Sequence, residues 1–373
     1  MRLLDLCDIK YGYAFDSKRF TDNPIYPPLV RIRDVKRGFS ETFYAGEYSK
    51  EYLLHKGDLL IGMDGEFNIA RWKSVDALLN QRVCKISAKK GTNEEYIRFA
   101  LSKKLKNIED KTSFVTVKHL SARELSTIEF TMPEYEKQRK IADILVSIEN
   151  IIEKKKQELE QLDTFVKSRF AEMFGDPIRN PKGWKVVTIG DIVTEVRYGT
   201  SKPAVEGGKY PYLRMNNLTA DGHLDLNDLK YIDISDDEVE KCVVRKGDVL
   251  FNRTNSIDLV GKTAVFDLQD DMVIAGYIIR VRLNEKILPE VLSQYMNLEA
   301  LKDILRSMAK GAVNQANINA QELQSIRVYV PDIELQKQFV EMKDQVDKSK
   351  SKIQKSLEET QLLFDSLMQK YFG

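Results

Sequence analysis

Apolar residues recur along residues 134–175 in alternating steps of four and three: Ile141, Leu145, Ile148 and Ile152, then Leu159, Leu162 and Val166, ending near Met173. Such steps track one face of a helix, so the pattern predicts a long helix with a coiled-coil seam, broken by Lys155 and Arg169. The intervening residues are mostly Glu, Lys, Gln, Asp and Ser. A helix of this kind buries a single stripe and needs a partner with a matching one. Residues 332–373 supply it, with Phe339, Val346, Ile353, Leu357, Phe364, Leu367 and Tyr371 in the same register and polar breaks at Lys343, Lys350 and Thr360. Each helix opens just after Pro133 or Pro331 and closes at Phe174-Gly175 or Phe372-Gly373. Glycine there suits the left-handed conformation past a helix end. About 38 helical residues at ~1.5 Å each make a rod of roughly 57 Å.

The two stretches are one element written twice. A shift of 198 carries Pro133 to Pro331, Glu136 to Glu334, Gln138 to Gln336, Leu159 to Leu357 and Ser168 to Ser366. What precedes each helix is repeated too. Leu6-Cys-Asp-Ile9 is matched with Ile189-Gly-Asp-Ile192, Pro28-Leu-Val-Arg31 with Pro211-Tyr-Leu-Arg214, and Lys56-Gly-Asp-Leu-Leu60 with Lys246-Gly-Asp-Val-Leu250. These offsets are 183 for the first two pairs and 190 for the third, which places insertions in the loops between anchors. Residues 64–77 and 253–266 share almost nothing. A repeated frame with diverged loops suits recognition of two different things in one geometry, and simple drift would produce the same pattern.

The chain therefore divides into residues 1–133, 134–175, 176–331 and 332–373. Each globular part reads as α+β. In the first, strands are expected at Leu29–Ile32, Asp58–Gly62 and Ser126–Met132, with a helix near Asn93–Leu105. Asp176-Pro-Ile-Arg-Asn-Pro-Lys-Gly-Trp184 is a turn-rich connector that cannot continue the first helix. Tyr11, Tyr13, Phe15 and Phe20 near Lys18 and Arg19 could stack on bases, although aromatic residues at strand spacing more often fill a core.

Charge adds little: 58 Lys and Arg against 57 Asp and Glu leave a net +1, so a nucleic-acid surface must be local. No stretch has the length and apolarity of a membrane span, and the N-terminal residues lack a signal-peptide apolar block. Cys7, Cys84 and Cys242 form neither a disulfide framework nor metal-ligand pairs, so a reduced, cytoplasmic protein is expected.

Three local patterns then carry a family resemblance: Phe174-Gly-Asp-Pro177 leading to Trp184-Lys185; Lys246-Gly-Asp-Val-Leu-Phe-Asn-Arg253; and Gly311-Ala-Val-Asn-Gln-Ala-Asn-Ile318 running into Leu323-Gln-Ser-Ile326 and Val330-Pro331. In this order, on a duplicated chain, they resemble the specificity subunit of type I restriction-modification enzymes. The first copy departs at Ser113-Phe-Val-Thr-Val-Lys-His-Leu120, which stands where the second has its glycine and Gln-Ala-Asn. The resemblance implies a non-catalytic reader of double-stranded DNA, with each globular part a target recognition domain docking on half of a split, asymmetric site. It implies two helices packed as an antiparallel coiled coil, which gives an internal pseudo-twofold repeat. Two methyltransferase subunits, and restriction (translocase) subunits in the full complex, would assemble on them. S-adenosylmethionine, ATP and magnesium would belong to those partners, with no cofactor in this chain.

Candidate DNA contacts lie in the diverged loops and at the ends of the repeated strands: Arg31, Arg33, Lys36, Arg37, Glu66, Asn68, Arg71 and Lys73 in the first domain, and Arg214, Asn216, Asn217, Asn252, Arg253 and Asn255 in the second. Lys118 and Gln315 join them from the loop before each helix. Arg suits guanine, Asn suits adenine, and Glu can accept from the cytosine amino group, while Lys and further Arg grip phosphate. Catalytic motifs are incomplete. Asn23-Pro-Ile-Tyr26 has Ile25 where an amino-methyltransferase motif has proline, and Gly261-Lys-Thr263 has Ser256 where a phosphate loop needs its first glycine. His55, His119 and His223, with unpaired cysteines, give no zinc site or histidine triad. The alternative is a duplicated coiled-coil scaffold whose globular parts bind other proteins.

Overall fold

The computed structural model describes residues 1–111, 118–312 and 315–373. The chain forms two compact units: Met1–Lys155 with Lys355–Gly373, and Lys156–Gln354. Each takes half of each long helix.

The first unit is built on a four-stranded antiparallel sheet in the order Cys7–Tyr11, Val83–Ala88, Leu59–Gly62, Ile69–Arg71. Leu59, Leu60 and Ile61 are all buried, the signature of a strand covered on both faces. Beside it, Leu29–Val30 runs parallel to Ala77–Leu79, which pairs antiparallel with Leu53–Leu54. The second unit repeats the scheme. Its main sheet is ordered Val193–Tyr198, Ile278–Leu283, Val249–Asn252, Thr263–Val265, and Tyr210–Leu213 runs parallel to Met272–Ile274.

The Lys-Gly-Asp anchors explain themselves. Gly57 and Gly247 have φ of 96° and 92°, a left-handed conformation that glycine adopts without penalty. Asp58 and Asp248 then accept from the backbone N–H of His55 and Arg245, each at 2.9 Å. Two readings need correction. Leu3 N donates to Ile128 O as Ile189 N donates to Ile326 O, so Leu3-Leu-Asp-Leu6, not Leu6-Cys-Asp-Ile9, is the counterpart of Ile189–Ile192. Ser126–Met132 is not a strand. Ala122–Thr127 is helical and Glu129 forms only an isolated bridge with Arg2, whereas Arg327–Val330 pairs fully with Lys185–Thr188.

The long helices span Tyr135–Phe174 and Ile333–Phe372, 40 residues each. Gly175, at φ 86°, ends the first as expected. In the first unit Ile141 and Leu145 share a core with Met368, packed by Phe364 and Leu367. In the second, Phe170 and Phe174 lie 5.2 and 5.5 Å from Phe339, ring centre to ring centre. The start of one helix thus meets the end of the other in both units, which makes the pairing antiparallel.

Ile148, Ile152, Val166 and Val346 are buried seam residues, while Leu159, Leu162, Ile353 and Leu357 are half-buried. Towards the end of the first helix the buried stripe has moved one residue, to Phe170 and Phe174 in place of Arg169 and Met173. A straight helix drifts about 20° per heptad against a strict seven-residue repeat, enough to bring the neighbouring side chain inward.

The polar breaks in the seam have partners. Lys155 donates to Ser356 Oγ. Lys350 reaches Asp163 at 2.5 Å and Asp221 at 3.4 Å, and Lys343 reaches Asp347 at 2.5 Å. Burial works against the Lys350 charge, but the carboxylates of Asp163 and Asp221 outweigh it and hold its pKa above the ordinary lysine value.

Candidate nucleic-acid interface

Each domain hangs on its helix by a glutamine. Gln138 Nε2 donates to Pro133 O at 2.8 Å and its Oε1 accepts from Asn93 N at 2.9 Å. Gln336 does the same with Pro331 O and Leu288 N, both at 2.8 Å, and also donates to Lys286 O at 3.0 Å. An amide serves here because it donates and accepts at once.

A second repeated fixture holds the loop where strands cross over. Leu29–Val30 ends at Arg31, whose backbone N–H donates to Asp34 at 2.9 Å; Tyr210–Leu213 ends at Arg214, whose N–H donates to Asn217 at 2.8 Å. A Cβ on Gly12 would meet Asn80 O at 2.1 Å, and one on Gly199 would meet Ile274 O at 2.1 Å. Only glycine lets those backbones touch. The approach brings Tyr11-Gly12 and Tyr198-Gly199 against the loops that follow Ala77–Leu79 and Met272–Ile274.

In front of each fixture opens a cleft. That of the first domain, about 490 Å³, is lined by Phe15, Phe20, Arg31, Arg33, Gln81 and Arg82, among others. That of the second, about 500 Å³, is lined by Lys202, Arg214, Asn216, Arg253, Gly276 and Tyr277, among others. The structure thus gathers Arg31 and Arg33 in one cleft and Arg214, Asn216 and Arg253 in the other. Phe15 closes its cleft from the core side, edge-on to Tyr44 at 4.8 Å, while Tyr13 and Tyr11 stay exposed. The other aromatic candidate, Phe20, is half-buried.

The remaining candidates are scattered. Lys36 is exposed and lies 3.7 Å from Glu66, Asn68 folds back on Glu66 at 3.4 Å, and Arg37 pairs loosely with Glu41 at 3.8 Å. Lys73 is exposed, beside Gly38. Asn255 and Gln315 sit on a small three-stranded sheet in the second domain.

Four candidates are committed to holding the domains together. Arg71 is gripped by Glu95, by Glu94 at 2.9 Å and by Gly57 O at 2.6 Å. Asn217 is buried and spends its side chain on Arg214 N and Asp225 O. Asn252 is fully buried with Nδ2 3.4 Å from Met215 O. Lys118 donates to Glu109 O at 2.5 Å. Sequence pattern placed them in loops or at strand ends, but cannot show a carboxylate or carbonyl brought in from a distant segment. Residues 113–117 of the departure in the first copy lie outside the described residues, as do Val313 and Asn314 of the second.

Asn80, Gln81 and Arg82 in the first cleft, and Thr200, Lys202 and Tyr277 in the second, were missed. Their signal was present. Leu78-Leu79 and Val83-Cys84 bracket three variable positions, as Val273-Ile274 and Ile278-Ile279 do, and Tyr-Gly occurs at both 11–12 and 198–199.

The motifs of doubtful chemistry have plain roles. Asn23 Oδ1 accepts from Ile25 N at 3.1 Å, forming a turn around Pro24. The buried Lys262 ammonium donates to Met215 O at 3.0 Å and to Leu218 O, inside the domain. Among the described residues, no group of three His, Cys, Asp or Glu side chains is placed to hold a metal ion, and no helix is long and apolar enough to cross a membrane. Cys7, Cys84 and Cys242 are buried free thiols, and burial pushes Cys7 and Cys84 up to about 12.

A repeated mixed domain with a repeated cleft, each copy keyed into one of two antiparallel helices, defines a duplicated recognition scaffold. The family model for the type I restriction modification DNA specificity domain matches residues 1–162 and 181–360, and the chain belongs to that family. It is 28% identical to the type I restriction enzyme EcoBI specificity subunit of Escherichia coli over 402 residues, covering 98% of this chain and 84% of the relative. With the EcoKI specificity subunit of Escherichia coli strain K12 it shares 24% over 276 residues, 69% of this chain and 59% of the relative. The fold is similar to the type I restriction-modification S subunit from M. genitalium, with TM-score 0.61, 15% identity, and coverage of 100% of this chain and 95% of that one. It is also similar to a chain from a study of complex assembly in the type I R-M system, with TM-score 0.54, 18% identity and coverage of 100% and 96%.

Proposed function

We propose that this chain is the DNA-sequence-specificity subunit of a type I restriction-modification complex. Each globular domain reads one half of a bipartite, asymmetric duplex target, and the paired helices carry the methyltransferase and restriction subunits. The observation that supports this reading best is the pair of clefts: the frame around them repeats down to single hydrogen bonds, while the side chains that line them differ. A shared protein-binding scaffold has no need of two unlike surfaces in identical settings. Arg, Asn, Gln and Lys on the cleft walls are the residue types that contact base edges and phosphates. Exposed Ile144, Ile151, Leu362 and Leu363 on the helical part of the first unit offer apolar surface suited to a partner subunit.

The chain itself is assigned no catalysis, and S-adenosylmethionine, ATP and magnesium are assigned to the partner subunits. The setting is cytoplasmic, where the host DNA lies. Co-expression with the methyltransferase subunit from the same genome, followed by sequencing of modified bases in host DNA, tests this. The expected result is one split motif with unlike halves. A stable complex that leaves no motif supports the scaffold reading instead.

A further inference from the structure

The two clefts carry their arginines at different positions. Met63 N donates to Arg82 O at 2.9 Å, and Arg253 N donates to Tyr277 O at 2.9 Å. Position 63 in the first domain is thus position 253 in the second, and 82 is 277. At the first of these positions the first domain has a buried methionine and the second an arginine. At the other the first domain has an arginine and the second an exposed tyrosine. Only the rim arginine, Arg31 or Arg214, is common to both.

The settings of the exchanged arginines differ as well. Arg82 is half-exposed and held by Asp64 at 3.2 Å, with His119 on the same carboxylate at 2.5 Å. Arg253 lies over the Tyr198 ring at 4.9 Å, donates to Gly276 O at 3.3 Å, and keeps a buried Nε without a partner. Each guanidinium is oriented by its neighbours and retains donors for a ligand. A planar two-pronged donor fits the O6 and N7 edge of guanine in the major groove.

We infer that Arg82 in the first domain and Arg253 in the second are the base-reading arginines, while the common Arg31 and Arg214 grip phosphate. This rests on the specificity-subunit reading and deepens it. A contact needed at any sequence can be the same in both copies; one that distinguishes the half-sites cannot. Moving the cation from one strand-end to a neighbouring loop shifts the base it reaches without altering the frame.

The test uses the chain co-expressed with its methyltransferase subunit and reads the modified motif in host DNA. Arg82→Gln should relax one base position in one half, and Arg253→Gln one position in the other, each lowering discrimination there by about 10- to 100-fold. Arg253→Lys, which keeps the charge but not the two-pronged geometry, should relax the same position while binding stays tight. Arg31→Gln and Arg214→Gln should weaken binding to all duplexes alike and lower the salt dependence by about one unit, leaving the motif as it was. A split motif that survives both Arg82→Gln and Arg253→Gln overturns the assignment alone, as does relaxation of the same half by both. A wild-type complex that leaves no split motif overturns the specificity reading and the assignment with it.

Discussion

Single side chains do most of the locking in this protein, and Gln138 and Gln336 show how. Each bridges the proline before its helix and the residue just before a helix in its domain, using donor and acceptor together. Gln336→Leu should cost about 1–3 kcal/mol in denaturant unfolding, because it strands a buried N–H and two carbonyls; no measurable loss would show the amide to be dispensable. Lys302 gives a pH signature. It is partly buried, donates to Gly261 O at 2.6 Å and Asn297 Oδ1 at 2.9 Å, and burial pushes it down to about 8 from 10.5. Between those values the unfolded chain binds more protons than the folded one, so stability rises with pH across that window and the full penalty persists below about 8. Calorimetry should therefore show wild type gaining on Lys302→Met between pH 8 and 10, and a constant difference would contradict it. At this scale the sequence was least legible. Arg71 and Arg253 both fall in the stretches where the two copies diverge, yet one ends a sheet strand locked between Glu94 and Glu95 while the other faces a cleft.

Elements were far easier to read. The seam from Ile141 to Val166 and its repeat predicted paired helices because a single apolar stripe on a charged rod has one economical use. Where that reading slipped, at Phe170 and Phe174, the cause was helical drift over several heptads. Position 149 and its counterpart 347 show how the copies vary the same joint. Glu149 is held by Arg98 at 2.6 Å, whereas Asp347 lies 3.6 Å from His223. An acid at one helix position is met by an arginine from a domain helix in one copy and by a histidine from a loop in the other. Burial opposes the Arg98 charge, but Glu149 and Glu95 overcome it and raise its pKa. Arg98→Met should therefore destabilise the first unit by about 1.5–3 kcal/mol. Hydrogen exchange would report it as faster opening of Glu94–Lys111 and of residues 135–155, with residues 156–174 unaffected; uniform acceleration would show that the joint is not local.

The duplication was legible across the whole chain because anchors such as Lys56-Gly-Asp58 and Lys246-Gly-Asp248 serve backbone geometry that tolerates few substitutes. The clefts were harder to read, because repeated patterns mark their parts but only the fold brings those parts together, as it does Arg31 with Arg82 and Lys202 with Tyr277. The proposed DNA recognition follows the same division, with a fixed frame and variable linings. Its most direct test is to exchange residues 1–133 for the corresponding domain of a relative with a different target, co-express the hybrid with the methyltransferase subunit, and sequence the modified bases. The expected result is a split motif in which one half changes and the other half and the gap stay as in wild type. A motif that changes in both halves, or in neither, would contradict it.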